Sequence, residues 1–359
     1  MRVAGIMSGT SLDGIDVAIV DISDEKSRLI KFCAFPYSKK TRAAILAVSN
    51  TETHTAAVSR LNFALAEQYA RALLKTAEHA QIALKTIQLI GCHGQTVFHE
   101  RSNTLQLGEA AVLRERTGIP VVSNFRSRDI AAGGHGAPLV PFFDFLSFRD
   151  NHRRRVMLNI GGIANITVIP AGASISEVIA FDTGPGNMVI DQLIAASTGN
   201  REQYDRDGRI AATGQVNNPL LTELTKDPYY RRKPPKTAGR EQYGREFIQR
   251  LLDTGLSFPD LIATAAVLTA LTIAQAVGGE PGDLIVSGGG VHNRFLMNQL
   301  HALLPYMRIA TTADYGIPPD AKEAIAFARL AYQTWRRRPS NVPNATGARH
   351  PVILGDITL

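Results

Sequence analysis

VAGIMSGTSLDGIDVAIVDI, residues 3–22, and VMLNIGGIANITVI, residues 156–169, share one plan. In each, an apolar run ends in a polar, glycine-bearing turn, and a second strand-like run follows. In the first, Val3–Met7 is the run, Ser8–Gly14 the turn and Asp16–Ile22 an alternating strand. In the second, the parts are Val156–Ile160, Gly161–Gly162 and Ile163–Ile169. A plan that recurs this far apart reads as two copies of one fold and not as a short-period repeat.

The pattern extends outward from both segments. Ile30–Pro36 is strand-like, and Arg42–Val48 and Ala56–His79 have helical periodicity. Gln88–His93 reads as a buried strand closing in a polar turn, Gly94–Thr96, and Ile119–Ser123 as another strand. Asp129–Pro141, rich in Gly and Pro, reads as a specialised loop. In the second half, Val178–Phe181 is a strand ending in Asp182, and Thr183–Asn187 turns into a helix reaching Ser197. Then come a helix at Pro259–Val277, a strand at Asp283–Ser287, a helix at Asn293–Leu304, a strand at Met307–Ala310 and a helix at Asp320–Arg337. Strands alternating with helices make this an α/β protein. The expected domains are residues 1–140 and 141–337, with the tail 338–359 packing back on the first.

Composition narrows the function. The 359 residues contain 45% hydrophobic and 20% charged side chains, which is ordinary for a globular chain. The net charge is +7, with short basic runs at Arg153–Arg155, Arg231–Lys236 and Arg336–Arg338. Each run reads as a solvated face. A mild positive field suits anionic small substrates, and no aromatic-interleaved basic stretch points to nucleic acid. Two cysteines, Cys33 and Cys92, exclude a disulfide scaffold and a cysteine zinc cluster. The N-terminal apolar run is too short for a signal peptide. Leu261–Gly279 is uncharged but holds Thr264, Thr269, Thr272 and Gln275, so it reads as a buried helix and not a membrane span. A cytoplasmic protein is expected.

The P-loop, G-x-G-x-x-G, H-E-x-x-H and G-x-S-x-G patterns are all absent. Three other turns suit phosphate. Ser8–Gly14 (SGTSLDG) offers backbone N–H groups and hydroxyls, and Asp13 and Asp16 are candidate Mg²⁺ ligands. Asn159–Asn165 (NIGGIAN) carries Gly161 and Gly162. Ser287–Asn293 (SGGGVHN) sets Gly288, Gly289 and Gly290 between a strand and a helix, where a flat ligand can lie on the backbone. Such a trio suits an ATPase of the actin/hexokinase type. Asp182, in FDTGPGN, is a candidate general base or a cap for the helix after it. His93–His99 (HGQTVFH) offers hydrogen bonds to a sugar. Arg126 and Arg128 can meet an anionic group, or pair with Asp129.

The chain resembles the anhydro-N-acetylmuramic acid kinases of bacterial cell-wall recycling. The matching stretches run in order along nearly the whole chain: GIMSGTSLDGID (5–16), GCHGQTVFH (91–99), FRSRDIAAGGHGAPLVP (125–141), NIGGIANIT (159–167), FDTGPGN (181–187), DRDG (205–208), KPPKTAGREQYG (233–244), SGGGVHN (287–293) and GIPPDAKEAIAFA (316–328). The resemblance implies an actin/hexokinase-like ATPase fold, with two RNase-H-like domains around an interdomain cleft. It implies ATP and Mg²⁺, a homodimer, and opening of a 1,6-anhydro ring coupled to phosphorylation of the 6-oxygen. It makes Asp182 the base that activates water, and residues Gly9, Thr10, Ser11, Leu12, Asp13, Gly14, Ile15 and Asp16 the first phosphate loop. Thr96, Arg126 and Glu323 become sugar-contacting positions. Asn124 departs from the family, whose members often carry Asp there, and this is expected to weaken a local salt bridge. The alternative reading is a kinase for another anhydrosugar such as levoglucosan, with the same ATP apparatus and no acidic lactyl group to satisfy.

Overall fold

A computed structural model describes every residue except Thr10, Ser11 and Arg240. The chain forms two compact units, Met1–Phe148 with Ala321–Leu359, and Arg149–Asp320.

The first unit contains strands β1 (Arg2–Ser8), β2 (Gly14–Ile22), β3 (Ser27–Pro36), β4 (Leu89–His99), β5 (Thr104–Leu107), β6 (Val121–Ser123) and β12 (Asp356–Thr358). Its sheet runs β12-β6-β4-β1-β2-β3, with β5 beside β4. β1, β4 and β6 are parallel, and β2 is antiparallel to both β1 and β3. The second unit contains β7 (Arg155–Ile160), β8 (Ile163–Ile169), β9 (Ile179–Pro185), β10 (Gly282–Ser287) and β11 (Met307–Thr311), in the order β11-β10-β7-β8-β9. Here β7, β10 and β11 are parallel and β8 is antiparallel to its neighbours. Each unit is thus an antiparallel meander of three strands with two parallel strands added beside the first. This RNase-H-like arrangement, present twice, is the actin/hexokinase-like α/β fold.

In the first unit, alternation along β2 sends Ile15, Val17 and Ile19 into a core with Leu61, Leu65, Tyr69 and Leu73 of the helix Thr55–His79. The helix Lys322–Trp335 packs on β1, β2 and β4. It comes so close to β1 and β4 that a Cβ on Gly5 would lie 1.8 Å from the Ala324 carbonyl, and one on Gly91 2.4 Å from that of Phe327. In the second unit the apolar helix Phe258–Val277 is mostly buried, packed on β9 and on the helices Asn187–Thr198 and Arg294–Leu303. It is long and apolar enough to cross a membrane, yet here it is a core helix.

Several elements differ from the sequence pattern. The boundaries fall at Phe148 and Asp320, against 140 and 337, because the helix Lys322–Trp335 uses small residues on one face to seat against Gly5 and Gly91. The tail contributes β12, which pairs with β6. Gly94–Thr96 is strand and not a turn: Gly94, at φ 78°, kinks β4, and after a register shift Ser8 pairs with Gln95. The 129–141 stretch begins inside the helix Ser127–Ala131 and ends in the helix Val140–Phe148, so its loop is shorter than expected.

A methyl group at Gly5 has nowhere to go, because the atom it meets is backbone. Gly5→Ala is expected to destabilise this unit by about 1–3 kcal/mol, seen as a lower denaturant midpoint. An unchanged midpoint would contradict the packing described.

Candidate functional site

In the first unit, β1 delivers the chain into the turn that begins at Gly9. Thr10 and Ser11 lie outside the described residues. Gln95, fully buried on β4, braces the turn from beneath: its amide donates to the carbonyls of Gly9 and Thr96, both 3.2 Å, and its carbonyl accepts from the Ser8 hydroxyl. Ser8 also meets the Tyr37 hydroxyl at 2.6 Å. Leu12 takes φ 63° with its side chain buried. Asp13 is exposed, whereas Asp16 is half-buried on β2, on the face opposite Ile15 and Val17. No group of three His, Cys, Asp or Glu able to hold a metal forms among the described residues. A Mg²⁺ carried on nucleotide phosphates needs only one or two carboxylates, so Asp13 and Asp16 remain compatible with it.

The sugar-contacting candidates lie in the same unit. Thr96 follows Gln95 and accepts from the Gln106 amide at 3.3 Å. Arg126 donates to His93 Nε2 from Nε (3.1 Å) and Nη2 (2.8 Å), and to the Gly136 carbonyl at 2.7 Å. His93 Nδ1 meets the Gly94 carbonyl at 2.7 Å, so the ring is neutral with its proton on Nδ1. Burial, with Arg126 beside it, holds its pKa well below the usual range. Burial lowers the Arg126 guanidinium to about 10, against the opposing fields of Glu323 and Asp129. Two of the five N–H groups of Arg126 make no hydrogen bond among the described residues. Glu323, at the start of the helix Lys322–Trp335, makes no hydrogen bond among the described residues. Burial raises its pKa, countered by Lys322 and Arg126.

Arg126 does not bond to Asp129. The buried Asp129 carboxylate accepts from Gly136 N–H (2.8 Å), Asn341 (2.7 Å) and Thr346 (2.7 Å), tying the 132–139 loop to the C-terminal tail. Asn124 adopts φ 56° and donates to Asp356 at 2.8 Å. An Asp at this position would set its carboxylate against that of Asp356, so the hydrogen bond seen here depends on the amide.

In the second unit the structure gathers three glycine segments. Gly186, Asn187 and Met188 donate their N–H groups to the carbonyls of Gly161 and Gly162, at 2.8–3.1 Å. A Cβ on Gly186 would lie 2.2 Å from the Gly161 carbonyl. Asn187 reaches the Ile160 carbonyl at 3.2 Å, and a Cβ on Gly290 would strike Ile160. A Cβ on Gly161, Gly162 or Gly289 would meet its nearest neighbours only at ordinary contact distance, 3.6–3.9 Å, so these three positions are not crowded as Gly186 and Gly290 are. Between Gly288 and the helix Arg294–Leu303 lies a short 3₁₀ turn, Gly289–His292. Asn293 caps that helix by accepting from Leu296 N–H at 3.0 Å. One of the unpaired N–H groups at the helix start is therefore already bonded.

Asp182 lies within β9 and not at its end. The strand continues to Pro185 through a bulge, with Asn165 opposite Asp182 and Ala164 opposite Gly184. Such bulges re-aim neighbouring side chains. Asp182 does not cap the following helix, whose N-cap is Gly186. Its Oδ2 accepts from Ala238 N–H at 2.8 Å, and its Oδ1 accepts nothing among the described residues. Burial pushes the carboxyl up to about 6, against the lowering effects of Ala238 N–H and Lys236. Lys236, expected in a solvated basic run, lies instead over the Tyr229 ring at 4.8 Å. The motif KPPKTAG pointed to this segment; nothing in its spacing pointed to Asp182.

The whole chain, residues 1–359, matches the family described as anhydro-N-acetylmuramic acid kinase. The chain belongs to this family. A relative of that name from Caldanaerobacter subterraneus subsp. tengcongensis is 42% identical over 382 residues, covering 99% of this chain and 96% of its own length. Another from Salinibacter ruber is 43% identical over 384 residues, with the same coverage. Among solved structures, the chain is similar to the (R)-2-hydroxyglutaryl-CoA dehydratase component A of Acidaminococcus fermentans, with TM-score 0.48, 12% identity, and coverage of 93% of this chain and 98% of that one. Within the family's stretches, DRDG is structural here: Asp205 accepts from Ile210 and Ala211 N–H, and Gly208 packs on Asn293.

The raised pKa of Asp182 has a cost. In the unfolded chain the group ionises near 3.8, in the folded chain near 6. Between these values the unfolded state sheds its proton first, so stability falls as pH rises through that window and stays lower above it. Asp182→Asn keeps an acceptor for Ala238 N–H and has no proton to lose. It is expected to be more stable than the parent by about 1–3 kcal/mol at pH 7.5, with the gap closing towards pH 4. Denaturant melts at the two pH values check this.

Proposed function

We propose that this chain is an ATP-dependent kinase of 1,6-anhydro-N-acetylmuramic acid, giving N-acetylmuramic acid 6-phosphate and ADP. The observation that carries the reading is the Asp182 carboxylate, half-buried, with one oxygen fixed by Ala238 N–H and a pKa near 6. A general base works best when its pKa lies near the working pH. Asp182 takes a proton from water as that water attacks the anomeric carbon. The bond from that carbon to the 6-oxygen breaks, and the freed oxygen attacks the γ-phosphorus of ATP. ADP leaves, and the proton on Asp182 returns to solvent.

Phosphoryl transfer asks mainly for position and charge. Within the first unit the turn from Gly9 to Asp16, and within the second Gly161, Gly162 and Gly288–Gly290, are the backbone segments suited to phosphate. Mg²⁺ bound there, by Asp13 or Asp16 and water, would neutralise phosphate charge. Thr96, Arg126 and Glu323 orient the sugar. The family's place in cell-wall recycling supports a cytoplasmic enzyme, and family resemblance supports a homodimer.

Asp182→Asn is expected to lower sugar phosphorylation by about 10²–10⁴-fold while ATP binding persists. In ¹⁸O-water the parent is expected to place label on the anomeric carbon and none in the transferred phosphate. A variant that phosphorylates at nearly the parent's rate would remove Asp182 from the chemistry.

Arg126 supports a second prediction. The lactyl carboxylate of the muramic sugar meets its free N–H groups, so an anhydrosugar without that group is expected to lose about 1.5–3 kcal/mol in kcat/KM, roughly 10–150-fold. Equal efficiency on levoglucosan would favour a kinase of other anhydrosugars.

A further inference from the structure

β9 is the outer strand of its sheet, so the edge away from β8 has no strand partner. Beside Asp182 that edge is covered by residues 236–238. Asp182 N–H donates to the Lys236 carbonyl at 3.2 Å, and Ala238 N–H donates to Asp182 Oδ2 at 2.8 Å. The Tyr229 hydroxyl donates to the Asp182 carbonyl at 2.8 Å. The Lys236 ammonium fastens this covering segment. It donates to the carbonyls of Tyr229 and Tyr230, both at 3.2 Å, and lies over the rings of Tyr229 at 4.8 Å and Phe181 at 5.5 Å. Phe181 precedes Asp182 in the chain and Tyr229 holds its carbonyl. The ammonium therefore grips the groups that hold the carboxylate, and does so without an ion pair to it.

We propose that Lys236 is a positioning residue for Asp182: it pins residues 236–238 along β9, keeps Ala238 N–H on Oδ2, and leaves Oδ1 as the atom that takes the proton from water. This rests on Asp182 being the base. A carboxylate with both oxygens free can rotate, whereas one anchored oxygen fixes the plane of the other, and small misplacements of a reacting group are costly. The Lys236 charge has a second effect, since it favours the ionised carboxylate.

Around Asp182 the charged and titratable groups are few. Lys236 has Arg232 beside it, and Asp227, Tyr229 and Tyr230 belong to the short helix Pro228–Arg231 and its cap. Burial raises the pKa of both tyrosines, so they stay neutral at working pH. β8 carries no titratable side chain. The helix Phe258–Val277 carries only Asp260, held by Gln215 N–H and Ser257. Lys236 is thus the charge whose removal Asp182 feels.

The test is the pH profile of kcat for sugar-dependent ADP release by full-length Lys236→Met and Lys236→Arg, with Asp182→Asn in parallel. Lys236→Met is expected to lower kcat about tenfold or more, to leave KM for ATP within about twofold, and to move the acidic limb upward by roughly 0.5–1 pH unit. Lys236→Arg is expected to restore the limb and most of the rate. If Lys236→Met does not fold, Lys236→Gln, neutral yet able to donate to both tyrosine carbonyls, carries the same limb shift. An unmoved limb in the neutral variant, or Lys236→Arg behaving like Lys236→Met, overturns the proposal while an inactive Asp182→Asn leaves the base in place. An Asp182→Asn enzyme that turns over normally overturns both.

Discussion

The contact that orders the first unit is made by atoms that are missing. Gly5 on β1 and Gly91 on β4 have no side chains, and Ala324 and Ala328 on the C-terminal helix have almost none, so helix backbone lies directly on strand backbone. Any larger residue would lift the helix from the sheet. This seating explains why a helix more than 300 residues from β1 joins the first unit and not the second. It also carries Glu323 into the electrostatic neighbourhood of Arg126. Lys322, one residue earlier, makes a fully buried ion pair with Asp144 at 2.8 Å, locking the helix against Val140–Phe148. Breaking one partner of such a pair leaves an uncompensated buried charge, so the pair enforces one position for the helix.

The two units solve the same problem differently. Each must hold a glycine turn open between the first two strands of its meander. In the first unit a buried side chain does this, as Gln95 spans Ser8, Gly9 and Thr96. In the second, main chain does it, since N–H groups at the start of the helix Asn187–Thr198 bond to Gly161 and Gly162. The first device ties the turn after β1 to Thr96. The second ties its turn to the bulged strand that carries Asp182.

How much of this was legible varies with the physics. The two strand–turn–strand openings were readable because their first strands are buried on both faces and leave short apolar runs that end at glycine turns, and Ile163–Ile169 matches its strand end to end. The glycine turns, Asp182 and Arg126 were readable from the residues, Thr96 and Glu323 through the motif resemblance, and neither route showed what surrounds them. Gln95 is polar and looked like turn, because hydrogen bonds that satisfy a buried amide leave no trace in local pattern. The extension of β9 past Asp182 was hidden by glycines that signal a turn but here shape a bulge, with Gly184 at φ 154°. β12 has three residues, too few for any periodicity, and exists only because β6 offers an edge. Lys236 lay in a basic run, and charge runs usually face water; only the tertiary fold brings Tyr229 beneath it.

Three buried carboxylates, Asp283, Asp144 and Asp129, show by contrast how Asp182 is held. Asp283 is surrounded by Arg308, Arg153 and Arg155 at 3.0–3.5 Å, which ties together the starts of β7, β10 and β11. Asp144 is neutralised by Lys322. Asp129 is saturated by donors to both oxygens. Each is engaged through its oxygens by charged or hydrogen-bonding partners that fix neighbouring elements, so each is locked into structure. Asp182 alone among these has a single donor, on one oxygen, and no ion pair within the described residues. Burial without compensation is unfavourable for an ionised group, and the same imbalance raises its proton affinity. What would be a defect in a structural carboxylate is therefore the property that a base requires.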